Sequence, residues 1–102
     1  MSQESFNERC YALLRTIPKG KVTTYKLLAE ALGTKAYRAV GNAMARNPDL
    51  VNTPCHRVVR SDGGVGGYAK GSDEKIALLK SEGVIVTDGK IDPLERYLFA
   101  FT

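Results

Sequence analysis

Tyr25-Lys26-Leu27-Leu28-Ala29-Glu30-Ala31-Leu32-Gly33, continued after Thr34 by Lys35 to Arg46, is the stretch on which the fold turns. Leu27, Leu28, Ala31 and Leu32 recur at helical spacing, Thr24 supplies an N-cap oxygen, and Gly33 offers a left-handed stop. Lys35 to Arg46 reads as a further helix crowded with small residues: Ala36, Ala39, Gly41, Ala43 and Ala45. Two short helices joined by a tight turn containing glycine form a helix-turn-helix pattern, and the second of them commonly enters a groove of DNA. Small side chains would let that backbone come close to a partner, with Arg38 and Arg46 as the long exceptions. The plainer reading is that the alanines pack against neighbouring helices.

Upstream, Phe6, Cys10, Leu13, Leu14 and Ile17 place a helix from about Ser5 to Thr16, ended by Pro18-Lys19-Gly20, with Val22-Thr23-Thr24 as a stub of strand. Downstream, Asn47-Pro48-Asp49 breaks the helix and a loop runs to Pro54. Val58-Val59 suggests a brief strand and Asp62 to Tyr68 a glycine-dense loop. That loop lacks the Lys-Ser/Thr ending of a phosphate-binding loop. Ser72 or Asp73 caps a fourth helix through Ile76, Leu78 and Leu79 to Glu82, stopped by Gly83. Val84-Ile85-Val86, the Asp88-Gly89 turn and Ile91 predict a small hairpin, and Pro93 to Phe101 a last helical turn. The expected fold is mainly α with small β elements, on a winged-helix plan.

The 102 residues, 43 % of them hydrophobic, fit one domain with a modest core. The expectation is a single domain over residues 1–102. No apolar run is long enough to span a membrane, and Met1 to Glu8 lacks the layout of a signal peptide, so a cytoplasmic monomer is expected. Cys10 and Cys55 form no disulfide framework. With His56 as the one histidine they fall short of a four-ligand zinc site, and no metal is expected. Charge is uneven: ten Lys and Arg against four Asp and Glu up to Arg60, five against seven beyond it. A basic front half points to a polyanionic partner met by one face.

Chemistry concentrates in Pro54-Cys55-His56-Arg57-Val58-Val59. A cysteine becomes a useful thiolate only with a base or a positive field beside it. His56 adjoins it, and a non-strand backbone after Pro54 would bring the two together. A carboxylate would orient the imidazole, and spacing leaves Asp49, Asp62, Glu74 and Glu82 all open. Alone, Cys55 reads first as a small buried hydrophobe, the commonest fate of a free cysteine.

The wider pattern adds context. Pro54 to Val59, then Gly63-Gly64-Val65-Gly66-Gly67-Tyr68, Lys75, Leu78-Leu79 and Glu82-Gly83, resemble the active-site signature of the methylated-DNA–protein-cysteine methyltransferases. Ile17 to Tyr25 and Arg38-Ala39-Val40-Gly41-Asn42-Ala43-Met44 through Asn47-Pro48 are similar to that family's helix-turn-helix, in order and spacing. The resemblance implies that Cys55 takes the alkyl group from O6 of guanine, or O4 of thymine, as a stable thioether. It implies that His56 removes the thiol proton through a bound water, that Glu82 orients His56, and that Asn47 braces the loop before the nucleophile. Tyr25 would protonate the departing base, and Arg38 would fill the duplex where the nucleotide was extruded. Ala39, Gly41 and Arg46 would lie along the DNA minor groove. Backbone groups of Cys55 and Val58, with Tyr68 and its neighbours Gly67 and Ala69 in the glycine-rich loop, would line the base pocket. The implied partner is double-stranded DNA carrying alkylated bases, and no cofactor is implied.

The same family contains compact alkyltransferase-like proteins that bind lesions without repairing them. They typically carry tryptophan at the cysteine position, where this chain has Cys55. Single-turnover repair is the favoured reading and a non-enzymatic lesion binder the alternative. A plain helix-turn-helix regulator comes third, since it leaves Pro54 to Arg57 unexplained.

Overall fold

The computed structural model describes residues 5–50 and 52–101; the polar stretch before Ser5, and Val51 in the loop to Pro54, lie outside them. The first helix, α1 (Phe6–Leu14), starts at Ser5, whose hydroxyl accepts the Glu8 N–H at 3.1 Å. It ends two residues earlier than its periodicity predicts, because the Thr16 hydroxyl donates back to the Leu13 carbonyl and the last turn tightens. Strand β1 (Thr23–Thr24) leads directly into α2 (Tyr25–Ala31), and the Thr24 hydroxyl caps the Leu27 N–H at 3.0 Å.

Gly33 closes α2 at φ 76°. The Thr34 N–H reaches the Ala29 carbonyl and the Gly33 N–H that of Glu30, the paired bonds of a Schellman stop. Helix α3 (Tyr37–Ala45) begins two residues later than expected. The Thr34 hydroxyl takes the Ala36 N–H and the Lys35 carbonyl takes that of Tyr37, so the turn closes before the helix starts. Pro54 opens a single 3-10 turn (Cys55–Arg57), followed by β2 (Val58–Val59).

Helix α4 (Ser72–Ser81) is entered through Gly71 at φ 97°, not through a side-chain cap from Ser72 or Asp73 as the sequence suggested. Gly83 repeats the Schellman stop, with Val84 N–H on Leu79 and Gly83 N–H on Lys80. The wing is the hairpin β3 (Val86–Thr87) and β4 (Lys90–Ile91), turned at Asp88 (φ 52°) and Gly89 (φ 73°), two left-handed residues as a type I′ turn requires. The last helical turn, expected within Pro93 to Phe101, is the 3-10 turn Leu94–Arg96. Beyond it the chain runs extended beside Val22, which donates to the Tyr97 carbonyl and accepts from the Phe99 N–H, each at 2.8 Å. The helix-turn-helix with a small wing stands as expected. Among the described residues, no helix is long and apolar enough to cross a membrane.

Parallel pairing of β1 with β2, Thr23 beside Val58 and Thr24 beside Val59, is the seam of the molecule. Side chains alternate across a strand, so Val58 points into one cluster and Val59 into another. The first joins α1, α2 and α3 through Leu14, Leu28, Val40 and Met44, and it includes Cys55. The second gathers Val22, Leu79, Val84, Val86, Ile91 and Tyr97 under α4 and the wing.

Candidate active site

Pro54 and the 3-10 turn aim Cys55 inward, and only 4 % of the residue is exposed. The loop ahead of it is tied by Asn47, whose side-chain amide donates to the Thr53 carbonyl at 2.8 Å and whose Oδ1 accepts the Asp49 N–H at 3.0 Å. Cys55 N–H also donates to the Thr53 carbonyl, so one oxygen ties Asn47 to Cys55. Burial pushes the Cys55 thiol pKa up. A hydrogen bond from Asn47 and the charge of Lys75 pull it back without cancelling the rise. At rest the sulfur is a neutral thiol in need of a base.

His56, the next residue, has the chemistry to serve as one. His56 Nε2 lies 3.0 Å from Glu82 Oε2, and its Nδ1 is buried with no hydrogen-bond partner among the described residues. Burial lowers the His56 pKa despite the pull of Glu82, so the ring is neutral at rest. A carboxylate only accepts, so Nε2 carries the hydrogen and Nδ1 presents a lone pair. Glu82 is held from the other side by Arg57, which donates from Nε to Oε1 at 3.0 Å and from Nη2 to Oε2 at 2.6 Å. A third bond fixes the guanidinium, Nη1 to the Ile17 carbonyl at 2.6 Å. Burial alone would raise the Glu82 carboxyl pKa, but the bonds and charges of Arg57 and His56 outweigh it and hold the carboxylate ionised.

Lys75 is the other buried charge. Its ammonium donates to the carbonyls of Val58 at 2.6 Å and Gly67 at 3.1 Å, and it lies 5.8 Å from the centre of the Tyr25 ring. Full burial lowers its pKa to about 8. Lys75, Leu79 and Glu82 recur at i, i+4 and i+7, one face of a helix, and that face turns inward. Read by phase, the pattern would have found Lys75 and separated Glu82 from Glu74, which is exposed.

In front of Cys55 opens a pocket of about 210 Å³, lined with Tyr25, Gly41, Met44, Ala45, Gly67, Tyr68 and Ala69. Gly66 is left-handed at φ 75°, and a Cβ there would stand 3.1 Å from the Tyr25 hydroxyl, so glycine lets that hydroxyl sit against the loop. Burial and the nearby Cys55 raise the Tyr25 pKa, against a smaller pull from Arg60. Tyr68 meets the His56 ring edge-on, centres 6.5 Å apart.

Of the expected residues, Tyr25, Gly41, Cys55, Gly67, Tyr68 and Ala69 line this pocket, Asn47 ties the loop ahead of Cys55, and His56 with Glu82 lines a second cavity that shares Tyr68 with the first. Val58, expected to offer backbone groups to the pocket, is fully buried with its carbonyl taken by Lys75, and it is not among the residues lining the pocket. Arg38 on α3 and Arg46 at its C-terminal cap are exposed and Ala39 is half-buried, all outside the lining. Met44 and Ala45, which the sequence did not single out for the pocket, complete it. No group of three or more His, Cys, Asp or Glu that could hold a metal occurs among the described residues.

Fold and pocket together define a helix-turn-helix protein with a cysteine, a histidine and a glutamate behind a recessed cavity. The chain belongs to the 6-O-methylguanine DNA methyltransferase family, whose DNA-binding-domain model matches residues 5–84. It is 52 % identical over 90 residues to a bifunctional methyltransferase/endonuclease of Picrophilus torridus, covering 87 % of this chain and 30 % of that protein. It is 57 % identical over 72 residues to a methylated-DNA–protein-cysteine methyltransferase of Pyrobaculum aerophilum, covering 71 % of this chain and 48 % of that one. The chain thus spans about a third to a half of the length of these curated relatives. S. pombe Atl1, solved with damaged DNA containing O6-carboxymethylguanine, superposes with a TM-score of 0.84 at 28 % identity, over 98 % of this chain and 99 % of that one.

Proposed function

We propose that this chain binds alkylated duplex DNA and transfers the alkyl group from O6 of guanine to Cys55, once per molecule. The observation that carries the reading is a buried thiol at the floor of a base-sized pocket, next to a neutral histidine whose Nδ1 has no partner among the described residues. The thiol proton passes through a bridging water to His56 Nδ1, and Glu82 stabilises the imidazolium. The thiolate attacks the alkyl carbon, a carbon–sulfur bond forms, and the carbon–oxygen bond breaks. The departing guanine takes a proton from the Tyr25 hydroxyl, which His56 and solvent restore. The net change is thiol plus O6-alkylguanine to thioether plus guanine. A thioether does not hydrolyse, so turnover is single.

A recessed pocket admits a base only after it leaves the stack, and α3 carries Arg38 to fill the gap. Gly41 and Ala45 keep the α3 wall thin toward DNA. Intact-protein mass after incubation with a duplex containing O6-methylguanine tests this. A gain of one methylene, absent in Cys55→Ser, is the expected result. Tight binding with no gain would instead favour the second reading, a lesion binder, which likeness to Atl1 along the whole chain supports.

A further inference from the structure

Tyr11 and Arg15 stand one turn apart on α1 and its C-terminal cap, and the proposed chemistry uses neither. Tyr11 is buried, and its hydroxyl donates to the Ala43 carbonyl of α3 at 2.8 Å. Arg15 donates from Nε to the Thr53 hydroxyl oxygen at 3.1 Å, and Thr53 is fully buried. These two bonds land at the two ends of the loop that joins α3 to the nucleophile. At the near end, α3 finishes on Arg46 at φ −100°, without the left-handed glycine that stops α2 and α4. A helix end leaves carbonyls short of intrahelical partners, and the Tyr11 hydroxyl serves one of them. At the far end, the Thr53 carbonyl takes both the Asn47 amide and the Cys55 N–H, so whatever holds Thr53 also holds Cys55.

Gly41, Met44 and Ala45 of α3 form one wall of the base pocket, and Cys55 lies at its floor. Wall and floor belong to different stretches of chain, so the place of the sulfur below the wall depends on both ends of the loop. Cys10, Tyr11 and Leu14 seat α1 in the same core as Ala43, Met44 and Cys55, which makes α1 a firm third body against which both can be fixed. We infer that Tyr11 and Arg15 are positioning residues for Cys55: by tying α3 through Ala43 and the loop through Thr53 to one helix, they set the distance between the sulfur and a base held against the α3 wall. The inference rests on the reading that Cys55 takes the alkyl group. Displacement at carbon needs sulfur, carbon and departing oxygen in line, and a misplacement of about 1 Å can cost about a hundredfold in rate. A loosened clamp therefore slows transfer without weakening the hold on DNA, because neither residue lines the pocket.

The test separates rate from affinity in Tyr11→Phe, which keeps the ring and removes only the hydroxyl, and in Arg15→Ala. Each is expected to slow single-turnover transfer from a saturating O6-methylguanine duplex about tenfold. The Kd for that duplex, measured in the Cys55→Ser background, should stay unchanged, and so should the pH limb set by His56. Thr53→Val removes the acceptor of Arg15, so it should slow transfer as much as Arg15→Ala does, and the double variant should be no slower. Full rate in Tyr11→Phe, affinity lost in step with rate, or additive losses at Arg15 and Thr53 would overturn the inference. Labelling of Cys55 by iodoacetamide, localised by peptide mass, gives a readout that needs no DNA. A freed loop exposes the sulfur, so labelling should quicken severalfold in Tyr11→Phe and Arg15→Ala. Cys10, fully buried in α1, should stay unlabelled in both, which excludes general unfolding. Quicker labelling in the variants of a wild type that transfers nothing would sink the alkyl-transfer reading and leave the clamp on Cys55 standing. Normal transfer by the wild type, with rate and labelling unaltered in the variants, would do the reverse.

Discussion

Glu82 is the residue through which the site is tuned, because three bonds from His56 and Arg57 converge on its two oxygens. Its carboxylate raises the His56 pKa against the stronger effect of burial. Removing that charge therefore lowers the imidazole pKa further. In the wild type, transfer should rise with pH as His56 loses its proton, with the limb below the ordinary imidazole range. In Glu82→Gln the limb should move to lower pH while the plateau falls on the order of a hundredfold. Single-turnover rates from about pH 4.5 to about pH 8 check both; a limb that stays in place would mean another group titrates. The same substitution strands Arg57 and should cost about 3 kcal/mol of stability. Of this constellation, Cys55 and His56 were legible as neighbours in sequence, whereas the carboxylate, 26 residues on, was not fixed by spacing.

At the scale of elements, what was legible is what is local. The helix-turn-helix follows from periodicity and from Thr24 and Gly33, and the wing from Asp88-Gly89. The pairing of Thr23 with Val58 was not, since register between distant segments leaves no local mark. The small residues of α3 illustrate both: Ala43 is packed in the core, as the plain reading held, while Gly41 and Ala45 line the pocket. The two kinds of left-handed glycine differ in a testable way. A Cβ at Gly83 meets nothing within 4 Å, so Gly83→Ala should cost about 1 kcal/mol from backbone strain alone. A Cβ at Gly63 would stand 2.7 Å from the Ile91 carbonyl oxygen, so Gly63→Ala should cost about 2 kcal/mol or more and loosen the wing. Urea unfolding of both variants decides; equal losses would mean the wing simply shifts aside.

Across the whole molecule, Lys75 is the tie between β2, the glycine loop and the ring of Tyr25. Lys75→Met leaves two carbonyls short of a donor and should destabilise by about 2 kcal/mol at neutral pH, the gain from removing a buried charge offsetting part of the loss. The pH dependence has a definite sign. The folded pKa, about 8, lies below the ordinary lysine value, so between the two the unfolded chain holds a proton that the folded chain has released. Wild-type stability should therefore rise with pH from about 8 toward about 10, relative to Lys75→Met. Parallel curves for the two proteins would exclude a depressed lysine.

The buried, un-ionised Cys55 has one more consequence, for the life of the protein before it meets a lesion. On the proposed reading a molecule works once and must reach its target unspent, and a thiol has many wrong partners: peroxides, aldehydes, stray alkylating agents. Thiolate is what those reagents consume. Cys55 is 4 % exposed with its pKa raised, so it keeps little thiolate and little access while idle. On that reading, reactivity is issued only when a base fills the pocket in front of it and His56 is engaged. The same packing that slows the chemistry in general gives the protein its shelf life.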